Sequence, residues 1–262
     1  MNRALFTSAT GLAAQQLNLD VVANNLANAS TTGFKRSRAD FQDLVYQNLR
    51  EPGGQTGPNS QLPTGSQIGL GVSTGTTSTL FTQGTLQSTG GEYDVAIKGP
   101  GFFKILQPDG GSAYSRSGAF NIDSAGKLVT AEGYAVQPEI VIPPNHTFVS
   151  ISGDGQVSVG LPGQNTSQVV GTLQLTNFIN PAGLKALGGS LFQVTPASGQ
   201  PVDGAPGALG NGTLLGKSLE SSNVDIVEEM VRMIIIQRAY DTNSKVIQAA
   251  DEMLTTTNGI KR

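Results

Sequence analysis

The chain has 262 residues, a formal net charge of −3 and no cysteine. That length allows one or two compact domains, and the missing cysteines exclude disulfides, Cys-bound zinc and a thiol nucleophile. Charged residues make up only 13% of the chain, about half the usual 25%, so there is no strong basic field to attract nucleic acid or an anionic membrane.

Residues 1–32 carry Leu5, Leu12, Leu19 and Leu26 seven apart, with Ala9, Val22 and Ala23 between them. The polar remainder, including Asn24, Asn25 and Asn28, is almost free of charge. This spacing predicts an amphipathic helix with a narrow apolar seam, stopped at Gly33, which takes a left-handed conformation without a Cβ penalty. Thr7, Ser8, Thr10, Gln15 and Gln16 break the apolar run that a cleaved secretory signal needs behind Arg3. The expectation is export without signal cleavage.

Residues 51–79 are rich in Gly, Pro, Gln, Ser and Thr and read as an extended connecting arm or a disordered linker. Beyond them, short apolar runs at 93–98, 101–106, 128–130, 135–142, 148–151, 157–159 and 169–178 are separated by turn residues such as Asp109-Gly110, Asp123 to Gly126, and Asp154-Gly155. Such spacing predicts antiparallel hairpins in a compact sandwich or barrel-like domain.

From about 222 the helical period returns. Ile226, Met233, Tyr240, Ile247 and Leu254 recur every seven residues, and Glu229, Ile236, Asn243 and Ala250 follow the first four by three. Ser222 with Asp225 resembles a capping box, and Asn258-Gly259 reads as a stop before Lys261 and Arg262. About 35 residues make a helix about 50 Å long, too long to pack wholly on one small domain. The apolar run 230–236 contains Arg232 and is far short of the roughly 20 residues that cross a bilayer, so no membrane insertion is expected.

Two narrow seams at opposite ends suggest that the helices pair and that their uncharged flanks pack on further copies, since a contact that does not close builds a filament. Periodicity fits equally well with both helices packed on the sheet of an ordinary α+β domain. A β-rich surface-binding module with dispensable helices, and a wall-cleaving hydrolase, are alternatives of other classes.

Chemical motifs are sparse. His146, the only histidine, lies beside Pro143, Pro144 and Asn145, which suits a solvated loop better than a base, and no nucleophile-elbow sequence is present. Asp94, Asp109, Asp123 and Asp154 read mainly as turn formers. Gly69, Gly71 and Gly75 miss the dinucleotide spacing, and no acidic cluster is dense enough for calcium. Lys35, Arg36 and Arg38 form a small basic patch that reads as a solvated helix flank without a stacking platform. No catalytic, cofactor or metal residue is expected.

Three separated motifs carry a resemblance. Asn24-Asn25-Leu26-Ala27-Asn28 with Thr31-Thr32-Gly33-Phe34-Lys35-Arg36 is similar to the N-terminal motif of flagellar basal-body rod and hook proteins. Ser222-Asn223-Val224-Asp225, Gln237-Arg238-Ala239-Tyr240 and Asn243-Ser244-Lys245 resemble that family's C-terminal motif. Between them, Gln83-Gly84-Thr85-Leu86, Asp94 to Phe103 and Ala113 to Phe120 fit its middle. Length and the segment 46–65, with Tyr46, Leu49, Pro52, Leu62 and Pro63, resemble the distal-rod branch, in which this segment braces neighbours and stiffens the rod. Proximal-rod and hook-type members are the alternatives within the family.

The resemblance implies a structural, non-enzymatic subunit of the distal rod in the flagellar basal body, between periplasm and outer membrane. It implies self-assembly into a helical drive shaft, with the proximal rod, the hook, the P- and L-rings and the flagellar type III export apparatus as partners. The expected organisation is an N-terminal helix (1–33), a connecting arm with a rod-type insertion (34–92), a β-rich outer domain (93–220) and a C-terminal helix (221–262). The expected fold is α+β, the two helices pairing as a coiled-coil-like inner domain. The expected assembly residues are Leu5, Leu12, Leu19, Leu26, Asn24, Asn25, Asn28, Ile226, Met233, Ile236, Tyr240, Asn243, Ile247 and Leu254.

Overall fold

The computed structural model describes residues 3–53, 55–57, 60–61, 63–163 and 166–260. It is α+β, with a helix at each end, α1 (Arg3–Ala27) and α2 (Ile226–Ile260), and a strand-rich middle. The chain divides into two units, each made from separated stretches: Met1–Ala27, Ser37–Ser78 and Asp225–Arg262 in the first, Asn28–Arg36 and Thr79–Val224 in the second.

In the first unit the helices lie antiparallel, since Asn25 meets Glu229 while Gly11 meets Asn243. α1 ends at Ala27 and not at the expected Gly33. The chain turns at Asn28, whose carbonyl accepts the Thr31 N–H and whose Oδ1 accepts the Thr31 hydroxyl. Asn25 supplies the next step: its amide donates to the Ser37 carbonyl at 2.8 Å and its Oδ1 accepts the Ser37 N–H at 2.9 Å, pinning the start of strand Ser37–Asp43 to the helix.

At the head of α2, Asp225 is the cap, its Oδ1 accepting the N–H groups of Val227 and Glu228; Ser222 instead closes a local turn onto Val224 N–H. α2 continues through Asn258 and Gly259 to Ile260. One helical Gly costs only about 1 kcal/mol, too little to impose the expected stop on a helix of 35 residues. Lys261 and Arg262 lie outside the described residues.

Residues 37–79, read in part as an arm or linker, form successive antiparallel strand pairs: Ser37–Asp43 with Val72–Thr79, Tyr46–Arg50 with Ser66–Gly69, and Gln55–Gly57 with Ser60–Gln61. The Val72 N–H donates to the Thr10 hydroxyl of α1.

The second unit is antiparallel throughout. A five-stranded sheet runs, in spatial order, Val136–Gln137, Phe103–Leu106, Ser112–Ser115, Leu191–Gln193, Lys185–Gly188. A three-stranded sheet (Phe148–Ile151, Gln156–Gly160, Gln168–Thr172) and four strand pairs complete it. Val95, Ile97, Phe103, Ile105, Leu173 and Leu175 form the floor of the main core. A second core is aromatic: Phe102, Tyr114, Phe178 and Phe192, with Phe81 packed on it edge-to-face. Gly118 stands where a Cβ would lie 1.7 Å from the Val95 carbonyl oxygen, so only Gly fits there. Asp109 and Asp123 cap their turns, as their positions predict.

Candidate assembly interface

The contact between α1 and α2 is built from small and polar side chains. Ser8, Ala14, Val22 and Asn25 are the buried residues of α1; Glu229, Ile236 and Ala250 are those of α2. Gly11 leaves room for the Asn243 amide, 3.1 Å from where a Cβ would stand. Asn25 donates to the buried Glu229 carboxylate at 3.4 Å.

The expected seam residues sit differently. Leu5, Leu12, Leu19, Leu26, Asn28, Met233, Asn243 and Ile247 are half-buried; Asn24, Ile226, Tyr240 and Leu254 are exposed. Asn25 and Ile236 alone of the expected set are fully buried. Tyr46, Leu49, Pro52 and Pro63 are exposed on their strands and turns, and Leu62 lies outside the described residues.

Sequence reasoning missed the outward side of α2. Val227, Met230, Val231, Ile234 and Ile235 are each half or more exposed, Val227 at 70% and Ile235 at 61%. The signal was available: from Ile226 to Ile236 the helix is apolar at eight of eleven positions, more than one stripe can hold. No described helix is long and apolar enough to cross a membrane.

The basic patch is also corrected. Lys35 is not on a solvated flank but 2% exposed in the second unit. Its Nζ lies 2.5 Å from Glu220 Oε1 and donates to the Thr82 carbonyl. Arg116 reaches the other oxygen, with NH2 at 3.0 Å and Nε at 3.1 Å, and donates through NH1 to the carbonyls of Gly99 and Gly101. Glu220 further accepts the Gly84 N–H at 2.9 Å. Burial pulls the Lys35 ammonium below its usual range despite the opposing pull of Glu220, and the Arg116 guanidinium is lowered for the same reason.

Asn223 laces the same region. It accepts the Arg36 N–H and donates to the carbonyls of Leu80 and Thr82. Three of the motif stretches singled out in the sequence, around 33–36, 83–86 and 222–224, therefore meet in one buried polar cluster.

His146 is half-buried. Its Nδ1 is 2.8 Å from the Pro143 carbonyl, which only an N–H can satisfy, so Nε2 accepts the Tyr93 hydroxyl at 3.0 Å. Among the described residues no cluster of His, Asp and Glu could hold a metal ion.

Comparison with known proteins accounts for this pattern. The chain matches the profile "Flagella basal body rod protein" over residues 5–35. It also matches "Flagellar hook protein FlgE/F/G D1 domain" over 96–159 and "Flagellar basal body rod FlgEFG protein C-terminal" over 216–260. It is 49% identical over 264 residues to the flagellar basal-body rod protein FlgG of Borreliella burgdorferi, covering 100% of both chains. To the FlgG of Caulobacter vibrioides it is 48% identical, covering 99% of each, and to the FlgF of the same bacterium 34%, covering 97% of this chain and 95% of that one. The chain belongs to the flagellar basal-body rod protein family and stands close to its FlgG members.

Proposed function

We propose that the chain is a structural subunit of the flagellar distal rod whose helices build the shaft by packing against further copies of the chain. It resides in the basal body and serves motility by self-assembly. The observation that carries this reading is the outward side of α2. Helix pairing in the first unit uses Ser8, Ala14, Val22, Glu229, Ile236 and Ala250, and leaves Val227, Met230, Val231, Ile234 and Ile235 in water. Exposed apolar patches of this kind mark interaction sites, and burying the half or more of each side chain that is still exposed contributes about 1–2 kcal/mol.

In the assembled rod α1 and α2 act as a coiled-coil-like pair forming the inner tube, with 93–220 facing outward. The ribbon 37–79 is the connecting arm. It exposes Val45 between strands and Tyr46, Leu49 and Ile68 on paired strands, and among the described residues no third strand joins these pairs, an arrangement that is marginal alone and gains from bracing against a neighbour. Torque passes through many such contacts to the hook, the proximal rod lies on the other side, and the P- and L-rings surround the shaft. The chain is delivered by the flagellar type III apparatus, and it works without an enzymatic activity or cofactor.

The test is Ile234→Lys together with Val231→Lys in the full chain. Assembly of purified protein, followed by sedimentation and electron microscopy, should be lost while the thermal unfolding of the second unit stays unchanged. Intact filaments from this variant would overturn the reading.

A further inference from the structure

α2 carries a second seam beside the one that meets α1. At about 100° per residue, Glu229, Ile236, Asn243 and Ala250 fall on one arc and turn to α1: Glu229, Ile236 and Ala250 are buried, and Asn243 meets Gly11. About a quarter-turn round the same helix lie Ile235, Ala239, Thr242, Val246, Ala249 and Met253. Their spacing alternates four and three, as a heptad seam requires. The charged side chains between Ile235 and Met253, which are Arg238, Asp241, Lys245, Asp251 and Glu252, all project outside their arc. Ala239 is half-buried and the rest of the seam is exposed, Ile235 and Met253 at 61%. α1 bears a stripe of the same period: Phe6, Ala9, Ala13, Ala23 and Ala27, completed by Gln16 and Asp20, all of them exposed. By the same projection this stripe lies on the side of α1 away from Gly11 and Asn25, the residues that meet α2.

We propose that the second seam of α2 in one copy receives the outer stripe of α1 from the next copy. The inference rests on the self-assembly reading above and names its contact. The occupant follows from size, from side and from continuity. Ile235, Val246 and Met253 are knobs that need holes on a facing helix, and the alanines of α1 let that helix come close enough to supply them. α1 turns its stripe away from α2, so the two surfaces cannot meet within one molecule. Ile236, Asn243 and Ala250 each follow a seam residue directly, so a helix seated on the seam adjoins the α1–α2 contact already formed. The seam and the stripe share no residue. Their contact is therefore heterologous, and successive copies extend instead of closing a dimer. Asp20 is the one charge in either surface; a single polar position in a seam fixes register at a cost in stability.

The chain has no cysteine, so single engineered thiols report the contact without background. Full-length Ile235→Cys and Val246→Cys, each with a mass tag, place the thiol on the seam. Untagged Ala9→Cys, Ala13→Cys, Ala23→Cys and Ala27→Cys place it on the stripe. Each tagged chain is mixed with each untagged one and oxidised where the wild type assembles. Disulfides should join tagged to untagged chains, and one end of the stripe should react in preference to the other. Filaments that form without any such disulfide would overturn the contact. So would tagged chains that link to each other as readily, because α2 would then be packing on α2. Ala13→Leu together with Ala23→Leu makes the steric test. Both positions are exposed in the free chain, so far-UV circular dichroism should be unchanged, while the concentration needed for assembly rises about tenfold or more. Assembly at the wild-type concentration would count against the contact. If Ile234→Lys with Val231→Lys abolishes assembly and wild-type-like filaments yield no disulfide, the self-assembly reading stands and this contact alone falls.

Discussion

Replacing Glu220 by Gln removes the single negative charge from a cluster that holds two positive ones. Lys35, Arg116 and Glu220 are 2%, 4% and 1% exposed, so water cannot replace the lost carboxylate. The substitution preserves size, and Gln can still accept the Gly84 N–H. What it cannot do is balance Lys35 and Arg116, which would be left as two like charges in the interior. Breaking a buried pair in this way costs about 3–5 kcal/mol, and for a unit of this size each kcal/mol moves the melting temperature by about 2–4 °C. The midpoint of the second unit should therefore fall by about 6–20 °C, read by circular dichroism on the full chain. Lys35→Met makes the control. It leaves Glu220 paired with Arg116 and bonded to Gly84, and the Thr82 carbonyl keeps the Asn223 amide, so what is lost is the Lys35 bond to Glu220, about 1–3 kcal/mol. Glu220→Gln must therefore be the more damaging of the two. A midpoint within 2 °C of wild type by the thermal scale above, or Lys35→Met falling further than Glu220→Gln, would refute the charge argument.

Further expectations follow from single contacts. Lys35, held below its unfolded value of 10.5 by burial, sheds its proton on folding between the two values. The unfolded chain binds more protons there, so stability should rise with pH through that window; the stability difference between wild type and Lys35→Met should show the slope. Asp203 is pushed up by desolvation, but hydrogen bonds from Lys104 and Thr176 hold its carboxyl below the usual 3.8. Its contribution is lost as pH falls through that lowered value, so Asp203→Asn should flatten the acid limb of the stability curve, by less than about 1 kcal/mol for so exposed a pair. Gly118→Ala drives a methyl into the Val95 carbonyl and should cost more than about 4 kcal/mol, seen as loss of soluble, cooperatively unfolding protein. Asp225→Ala removes the acceptor for Val227 and Glu228 and should cost about 1 kcal/mol, with faster amide exchange confined to the first turn of α2.

The helices and most of the strands between 93 and 178 were legible because period is a local property. Leu128–Thr130 and Phe148–Ile151 have the predicted bounds, and Val95–Lys98 and Phe103–Leu106 start two residues late. Strands such as Ser112–Ser115, Lys185–Gly188 and Val202–Gly204 were not read, since Ser, Gly and Lys dilute their apolar alternation. Lys35 looked like surface because its partners, the Thr82 carbonyl and Glu220, stand 47 and 185 residues further along, and no local pattern announces a buried charge. The small residues of the helix contact were missed for a related reason. Heptad reading favours large apolar side chains, so it selected Leu5, Leu12, Leu19 and Leu26, which are half-buried, and passed over Ser8, Gly11 and Ala14, two of them buried and the third facing Asn243.

That choice of small residues bears on how the subunit works. A helix pair whose contact relies on Ser8, Gly11, Ala14 and Asn25, with Val22 and Ile236 as its large buried apolar side chains, buries modest apolar area, and at about 25 cal/mol per Å² its own cohesion is modest. The large side chains of α2, Val227, Met230, Val231, Ile234 and Ile235, are kept for its outer side. In the proposed assembly each added copy would cover that surface, so growth would be favoured over the free subunit, and the helices would gain much of their stability from packing between molecules.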